Sequence, residues 1–366
     1  MNQATLELTP APQSADAVDA VVFQIGWDHA HHALVPPPEL LLDGTPLGQG
    51  WRAGRAVFGR RTLPTGRATR QWLALRTLAW RLGIAFETQQ VTAHYVGQLQ
   101  AERCPVTRQA LGGAAGEPTA AVIERVNPNA GYAAGNLAML SQQAVRARHG
   151  VDVLEAVRRA RRATSSGDVV EGLDAGAWWR LATLRAFATP LPFHEAARLP
   201  LAVLPPNRVR LLNAPQGLQA LLTMQFLAPG WSARTRELAA MLPEHTVRHD
   251  FNLFIGAIAP RVLEAGSEPA RLRQALEDAW LNERVMRRWQ HFVLSLGETG
   301  TAGLLERAAA AGLAGVRTLT HAAEQATEGW ALPQGGRAAR MLEAHSHALW
   351  QQGGERRRQP RAGARG

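Results

Sequence analysis

The chain has 366 residues, with 30 acidic and 40 basic side chains and a formal net charge of +10 at neutral pH. Its single cysteine, Cys104, excludes an internal disulfide and a zinc site built from paired cysteines. No apolar run has the length of a membrane helix, and the first residues lack the basic start and apolar stretch of a signal peptide. We therefore expect a cytoplasmic protein without a membrane partner.

The basic segment from Gly44 to Phe86 holds eight arginines and no acidic residue. Tryptophans lie among these arginines, at Trp51, Trp72 and Trp80. Guanidinium groups fork onto phosphate oxygens, and exposed indoles stack on unpaired bases. The candidates for nucleic-acid binding in this segment are Arg60, Arg61 and Arg70. The alternative is a helix from Ala68 to Leu82 whose tryptophans face the core and whose arginines are solvated or paired with carboxylates.

A cluster of metal-ligand side chains lies earlier, from Trp27 to His32. It contains one aspartate and three histidines, and imidazole is a ligand for zinc, nickel or copper. His29 and His31 have the spacing for one face of a strand, although a third ligand has to come from elsewhere. The alternative is that these histidines bind no metal.

The segment from Cys104 to Arg148 carries the most specific pattern of the chain. A Cys-Pro-Val-Thr turn precedes a predicted strand that ends at Glu124, Arg125 and Val126. A loop with two glycines and Asn136 follows, then a strand from Leu137 to Leu140 and a helix that begins near Ser141. This order resembles the HNH, or His-Me finger, endonuclease superfamily, in the subgroup with the pattern D-R-I-D-P-x-x-G-Y-x-x-x-N. The preceding segment, from Phe23 to Gln100, is similar to proteobacterial proteins that carry an HNH-like motif.

The resemblance implies a ββα core around one divalent metal, Mg²⁺ or another ion. Glu124 matches the acidic metal ligand and Asn136 the loop asparagine that orients the catalytic histidine. Arg125 stands where active members carry that histidine, which acts as general base, and Val145 stands where the helix supplies a ligand. Arginine is no base near neutral pH, and loss of a general base costs roughly 10²–10⁴ in rate. Glu124, Arg125 and Asn136 are the candidate catalytic residues, and we expect the fold to be kept and the chemistry weakened or lost. His94 and His149 flank the core and are candidates for a substitute base.

A second basic run follows this core. In the family, the closing helix lies beside the DNA backbone, which makes Arg146 and Arg148 candidates for phosphate contacts. Four more arginines follow between 158 and 162 on a helix predicted from Asp152. The alternative for the whole run is a solvated helix face.

The remaining chain is predicted to be helical. Apolar periodicity indicates helices from Ala175 to Thr189, Gln216 to Leu227, Pro269 to Leu296 and Arg337 to Gln351. Pro269 suits a first turn and Gly297 a helix stop. We expect the charged face of the Pro269 helix, with Arg287 and Arg288, to be solvated.

The fold class we predict is mostly α, with a small α+β core of the ββα-metal, HNH-like type and a helical C-terminal domain. The segments are an Arg/Trp-rich region at 1–98, the HNH-like core at 99–150, a basic helix and linker at 151–172, the α-helical domain at 173–351 and a disordered basic tail at 352–366.

Three functions remain open. The first is a nucleic-acid-binding protein, with DNA as the expected partner, on a degenerate HNH-like fold. The second is an active Mg²⁺-dependent endonuclease with a substitute general base. The third is a helical protein-interaction scaffold.

Overall fold

The computed structural model describes residues 15–313, 316–319, 327, 329–332 and 341–344. Contacts divide the chain into two compact units, residues 1–97 and residues 98–366. The division lies one residue from the predicted end of the Arg/Trp-rich region.

Helices make up the first unit. A short 3-10 helix, Pro38–Leu40, accompanies α1 Ala15–His31, α2 Pro46–Phe58, α3 Arg67–Arg81 and α4 Ala93–Gln98. The segment with the metal-ligand cluster is therefore the end of α1 and not a strand, so the spacing of His29 and His31 does not place them on one face. The ring of His29 is buried there and its Nδ1 lies 2.8 Å from the carbonyl oxygen of Ile25. Burial lowers the pKa of His29, which favours a neutral ring.

Glycines allow α1 and α2 to pack with their backbones in contact. A Cβ atom on Gly50 would lie 2.0 Å from the carbonyl oxygen of Phe23, and one on Gly26 would lie 2.0 Å from that of Leu47. Gly54 is also closed in, since its Cβ would lie 2.8 Å from that of Ala30. Positions 50 and 54 are one helical turn apart, so they form one face of α2.

The helix predicted from Ala68 to Leu82 is confirmed as α3, and the face expected to be buried is confirmed in part. Leu73, Leu75 and Ala79 are buried, whereas Leu82 is exposed and Trp72 is half-buried. Arg76 is the buried arginine of this helix. Its charge is compensated there, since it forms an ion pair with Asp28 of α1 and lies over the ring of Trp72.

The second unit contains two small antiparallel sheets among helices. Strands β1 Ala121–Arg125 and β2 Leu137–Ser141 pair with each other, as do β3 Val316–Leu319 and β4 Met341–Ala344. Its helices are α5 Gln142–Ala147, α6 Val153–Ser166, α7 Ala175–Phe187, α8 Phe193–Ala196, α9 Ala214–Leu227, α10 Trp231–Ala240, α11 His245–Ala265, α12 Pro269–Ala279 and α13 Glu283–Ala310.

Side-chain caps start many of these helices. Ser141 accepts from the backbone N–H of Ala144 at α5, Asp152 from Glu155 at α6 and Asp174 from Ala177 at α7. Each cap satisfies a backbone donor that the first helical turn leaves without a partner.

The helix predicted from Pro269 to Leu296 is two helices. Asn282 accepts from the backbone N–H groups of Arg284 and Val285, which starts α13 after α12 has ended. Gly297, predicted as a stop, interrupts α13 with φ 72° and ψ 173°. The helix predicted over 337–351 is wrong at residues 341–344, which form β4. Its other residues and the tail at 352–366 lie outside the described residues.

One hydrophobic core runs through the second unit. It includes Val126 and Leu140 near the first sheet, Val157 on α6, and Trp178 and Trp289 on later helices. The helix predicted from Asp152 is confirmed as α6, and it packs into this core, so the structure does not separate the predicted core from the helical segment after it. The mostly α fold with a small antiparallel sheet is confirmed. Among the described residues, no helix combines the length and apolar character that crossing a bilayer requires.

Candidate functional site

The β1–β2 pair places the candidate residues of the second unit. In its register Glu124 lies opposite Ala138 and Arg125 opposite Leu137. Cys104 fixes the far end of β2, because its Sγ accepts from the backbone N–H and the hydroxyl of Ser141, both at 3.3 Å. The predicted strand from Leu137 and the helix start at Ser141 are therefore confirmed.

Glu124 is part of an ion-pair cluster. Its Oε1 lies 2.7 Å from Nη2 of Arg148 and accepts from the backbone N–H of Arg125 at 2.8 Å. The side chains of Glu124 and Arg148 retain only 15% and 10% exposure. A carboxylate this enclosed stays charged at low free-energy cost only when cations compensate it.

Arg125 holds the loop between the two strands. Its Nη1 donates to the carbonyl oxygens of Pro128 at 2.6 Å and Ala130 at 2.8 Å. Its guanidinium carbon also lies 5.1 Å from the ring centroid of Tyr132. Burial, and then the charge of Glu124, raise the pKa of Tyr132. Arg125 thus connects β1 to the loop.

Asn136 fastens the same loop from inside. The side chain is fully buried, and its Oδ1 accepts from the backbone N–H of Asn127 at 2.7 Å. Its Nδ2 donates to the carbonyl oxygens of Asn127 at 3.1 Å and Gly131 at 2.9 Å. All its polar atoms are therefore used in holding the backbone of the loop.

Arg185 on α7 extends the cluster, and it was not among the residues predicted for the site. Its Nη2 donates to the carbonyl oxygen of Arg148 at 3.0 Å, while Nη1 of Arg148 donates to the carbonyl oxygen of Arg125 at 2.9 Å. Burial, and then the charge of Arg148, lower the pKa of Arg185 to about 10. Arg125 and Arg148 therefore lie beside Glu124, and Arg185 joins them through the backbone of Arg148. We call Glu124, Arg125, Arg148 and Arg185 the arginine cluster.

The arginine cluster does not fit a divalent cation. Metals of this kind bind carboxylate and imidazole groups, whereas the neighbours of Glu124 are guanidinium groups. Val145, at the position of a family ligand, is a hydrocarbon side chain packed against the core. Within the part of the chain that the structure describes, no group of three or more His, Cys, Asp or Glu residues is placed to hold a metal ion.

The predicted phosphate-binding arginines fall into two environments. Arg60, Arg61 and Arg70 are exposed on the first unit, and Arg70 donates to the carbonyl oxygen of Thr65 at 3.1 Å. In the second unit Arg146 is exposed, with one donor on the carbonyl oxygen of Gly116 at 2.9 Å, whereas Arg148 is buried in the arginine cluster.

A second ion-pair network in the same unit was also not predicted from the sequence. Arg108 lies 3.0 Å from Glu277 and 2.8 Å from Asp278, and Arg273 lies 3.0 Å from Glu277. The first two pairs join positions more than 160 residues apart. These pairs link the predicted core to α12.

Comparison of the chain with protein-family models, with curated proteins and with solved structures found no match in any of the three.

Proposed function

We propose that this chain is a nucleic-acid-binding protein, with DNA as the expected ligand, built on a degenerate HNH-like fold that no longer cleaves. The observation that carries the proposal is the exposure of the arginines between Gly44 and Phe86. Seven of the eight are exposed, and only Arg76 is buried. A surface of uncompensated guanidinium groups attracts a polyanion and releases its counterions.

The partners of these arginines favour this proposal over a solvated, internally paired surface. Arg52 and Arg81 have distant carboxylate partners, at 3.5 and 4.0 Å, on side chains that are themselves exposed. In contrast, Arg60, Arg61 and Arg67 have no ion-pair partner among the described residues. Exposed pairs of the first kind contribute about 0–1 kcal/mol, so phosphate oxygens displace them readily.

The arginine cluster supports the loss of cleavage. A nuclease of this family needs a base at the position of Arg125 and a metal at Glu124. Arg125 has no lone pair to accept a proton at neutral pH, and Glu124 is paired with Arg148. The same residues serve stability well, because they tie β1, the loop and α7 together.

The test is equilibrium binding of a DNA oligonucleotide over a range of salt concentrations. For wild type we expect affinity to fall steeply as salt rises, and for Arg60→Ala/Arg61→Ala we expect the log–log salt slope to decrease by roughly 2, about 0.9 per lost phosphate contact. The matched control is Arg287→Ala/Arg288→Ala, which removes another pair of adjacent exposed arginines, from α13. An equal change in both double variants would show a general charge effect and refute the assignment to this surface.

The two other functions predict different results in the same experiment. A Mg²⁺-dependent endonuclease with a substitute base would cleave the DNA when Mg²⁺ or Mn²⁺ is added. A protein-interaction scaffold would neither bind nor cleave it at any salt concentration.

A further inference from the structure

Six aromatic rings form a continuous row on the first unit. In order along the row they are Phe23, Trp27, Phe58, His31, His32 and Trp72, with neighbouring ring centroids between 4.2 and 6.5 Å apart. Each of the six residues is only partly buried. We call this set the aromatic row.

The helices explain why the rings meet. Phe23, Trp27 and His31 follow one another at intervals of four residues, which places them on one face of α1. Phe58 is one turn beyond Gly54 on the face of α2 that contacts α1. Because the glycines bring the two helices together, the ring of Phe58 stacks on His31 at 4.2 Å and meets Trp27 edge-on at 5.1 Å.

Two of the exposed arginines are held beside the aromatic row. The backbone N–H of Arg61 donates to the carbonyl oxygen of Phe58 at 2.7 Å, which folds the chain back directly after α2. Two residues on, the N–H of Leu63 donates to the carbonyl oxygen of His31 at 2.9 Å, and the hydroxyl of Thr65 donates to that of His32. Arg60 and Arg61 therefore lie on a turn fastened to the end of α1 and joined to the row at Phe58.

We propose that the first unit binds single-stranded nucleic acid, with unpaired bases stacked on the aromatic row and the adjacent phosphates bound by Arg60 and Arg61. This inference rests on the proposed function and narrows its ligand from nucleic acid in general to an unpaired strand. Aromatic faces stack on any base, so the site selects strandedness rather than sequence.

A duplex offers only one of the two groups that this surface binds. Its phosphates can reach the arginines, but its bases are stacked on one another and unavailable to the rings. An unpaired strand offers both groups at once, and the apolar area of the rings is then covered together with the charge. The juxtaposition of partly exposed rings and unpaired guanidinium groups is what distinguishes this surface from a basic patch that reads phosphates alone.

Packing alone is the competing explanation of the aromatic row, because rings also close the interior of a small helical unit. The two explanations differ in what the rings do for affinity. If the rings only pack, binding depends on phosphates and is indifferent to the presence of bases.

The deciding experiment uses the full-length wild-type protein and three ligands of equal phosphate number: an oligothymidine of about 20 nucleotides, an abasic strand of the same length, and a duplex. We expect the oligothymidine to bind more tightly than the abasic strand by roughly 5- to 150-fold, the loss typical of one stacked base. Equal affinity for the two strands, or preference for the duplex, would overturn the inference and leave the proposed function standing. Absence of binding to all three would overturn both.

A variant then assigns the effect to the aromatic row. Trp27→Leu should lower affinity for the oligothymidine roughly 5- to 150-fold and leave the weak binding of the abasic strand unchanged. The matched control is Trp179→Leu, which removes a half-buried indole of α7 in the other unit and should change neither affinity. An equal loss in both variants would refute the assignment, and if Trp27→Leu does not fold the wild-type comparison with the abasic strand still decides.

Discussion

Replacing Glu124 with alanine tests whether this carboxylate stabilises the fold or binds a metal. The substitution removes the partner of Arg148 at 2.7 Å and leaves the guanidinium enclosed at 10% exposure. Breaking a buried ion pair from one side costs about 3–5 kcal/mol, because the remaining charge is uncompensated. Since both side chains keep some exposure, we expect the lower end, about 3 kcal/mol of unfolding free energy.

The assay is native-state hydrogen exchange at the amides of β1 and β2, which reports the second unit alone. The matched control is Glu264→Ala on α11, whose carboxylate is paired with an arginine at 2.9 Å but is 63% exposed. The control should lose less than about 1 kcal/mol, as exposed pairs do. A loss below about 1 kcal/mol for Glu124→Ala, measured without divalent metal, would refute the structural role of the carboxylate.

Three further predictions concern packing, a buried loop and titration. Gly50→Ala should destabilise the first unit by about 1–3 kcal/mol in thermal unfolding, since its Cβ would lie 2.0 Å from a carbonyl oxygen. The control is Gly256→Ala in α11, whose Cβ would meet nothing within 4 Å, and it should be neutral or stabilising by up to about 1 kcal/mol. Equal effects of the two substitutions would contradict the close approach of α1 and α2. Asn136→Ala should cost about 3 kcal/mol in urea unfolding, because the backbone groups of Asn127 and Gly131 lose their buried partner, and a change below 1 kcal/mol would contradict the loop's dependence on this side chain. The pKa of Tyr132 is raised in the folded state, so its contribution to the free energy of unfolding is fully present below pH 10. That contribution is lost as pH rises through the pKa of the folded state. Ultraviolet titration should therefore show a phenol that ionises above pH 10 in wild type and disappears in Tyr132→Phe, and an unchanged titration would contradict the burial.

The strands and helix starts of the predicted core could be predicted from the sequence because they depend on residues that are neighbours along the chain. A run of four apolar residues, Leu137 to Leu140, marks β2, and Ser141 is a capping residue directly before α5. The caps of α6 and α7 are aspartates of the same kind. A signal of this type was also present at Asn282, but the apolar periodicity that continues across it favoured one helix over two.

The partners of the candidate site could not be read in this way. Arg148 was interpreted as a surface cation because it lies on a helix beside a basic run, yet its guanidinium is buried against Glu124. Arg185 joins the same cluster from α7, 37 residues after Arg148. Ion-pair partners of this kind depend on how helices pack, and one sequence contains no periodicity that encodes them.

The aromatic row shows the same limit. Trp51, Trp72 and Trp80 stand among arginines in the sequence, and only Trp72 belongs to the row. Phe58 enters it because glycines on α2 permit a backbone contact with α1, and this consequence of small residues becomes visible only when the helices are assembled.

Binding without cleavage is tested by incubating supercoiled plasmid with purified protein in the presence of Mg²⁺ or Mn²⁺ and reading nicking and retardation on the same gel. For wild type we expect retardation that weakens steeply as salt rises, and no nicking. Nicking by wild type that is lost in Glu124→Ala would contradict this expectation, because Glu124 would then serve catalysis rather than hold the arginine cluster together.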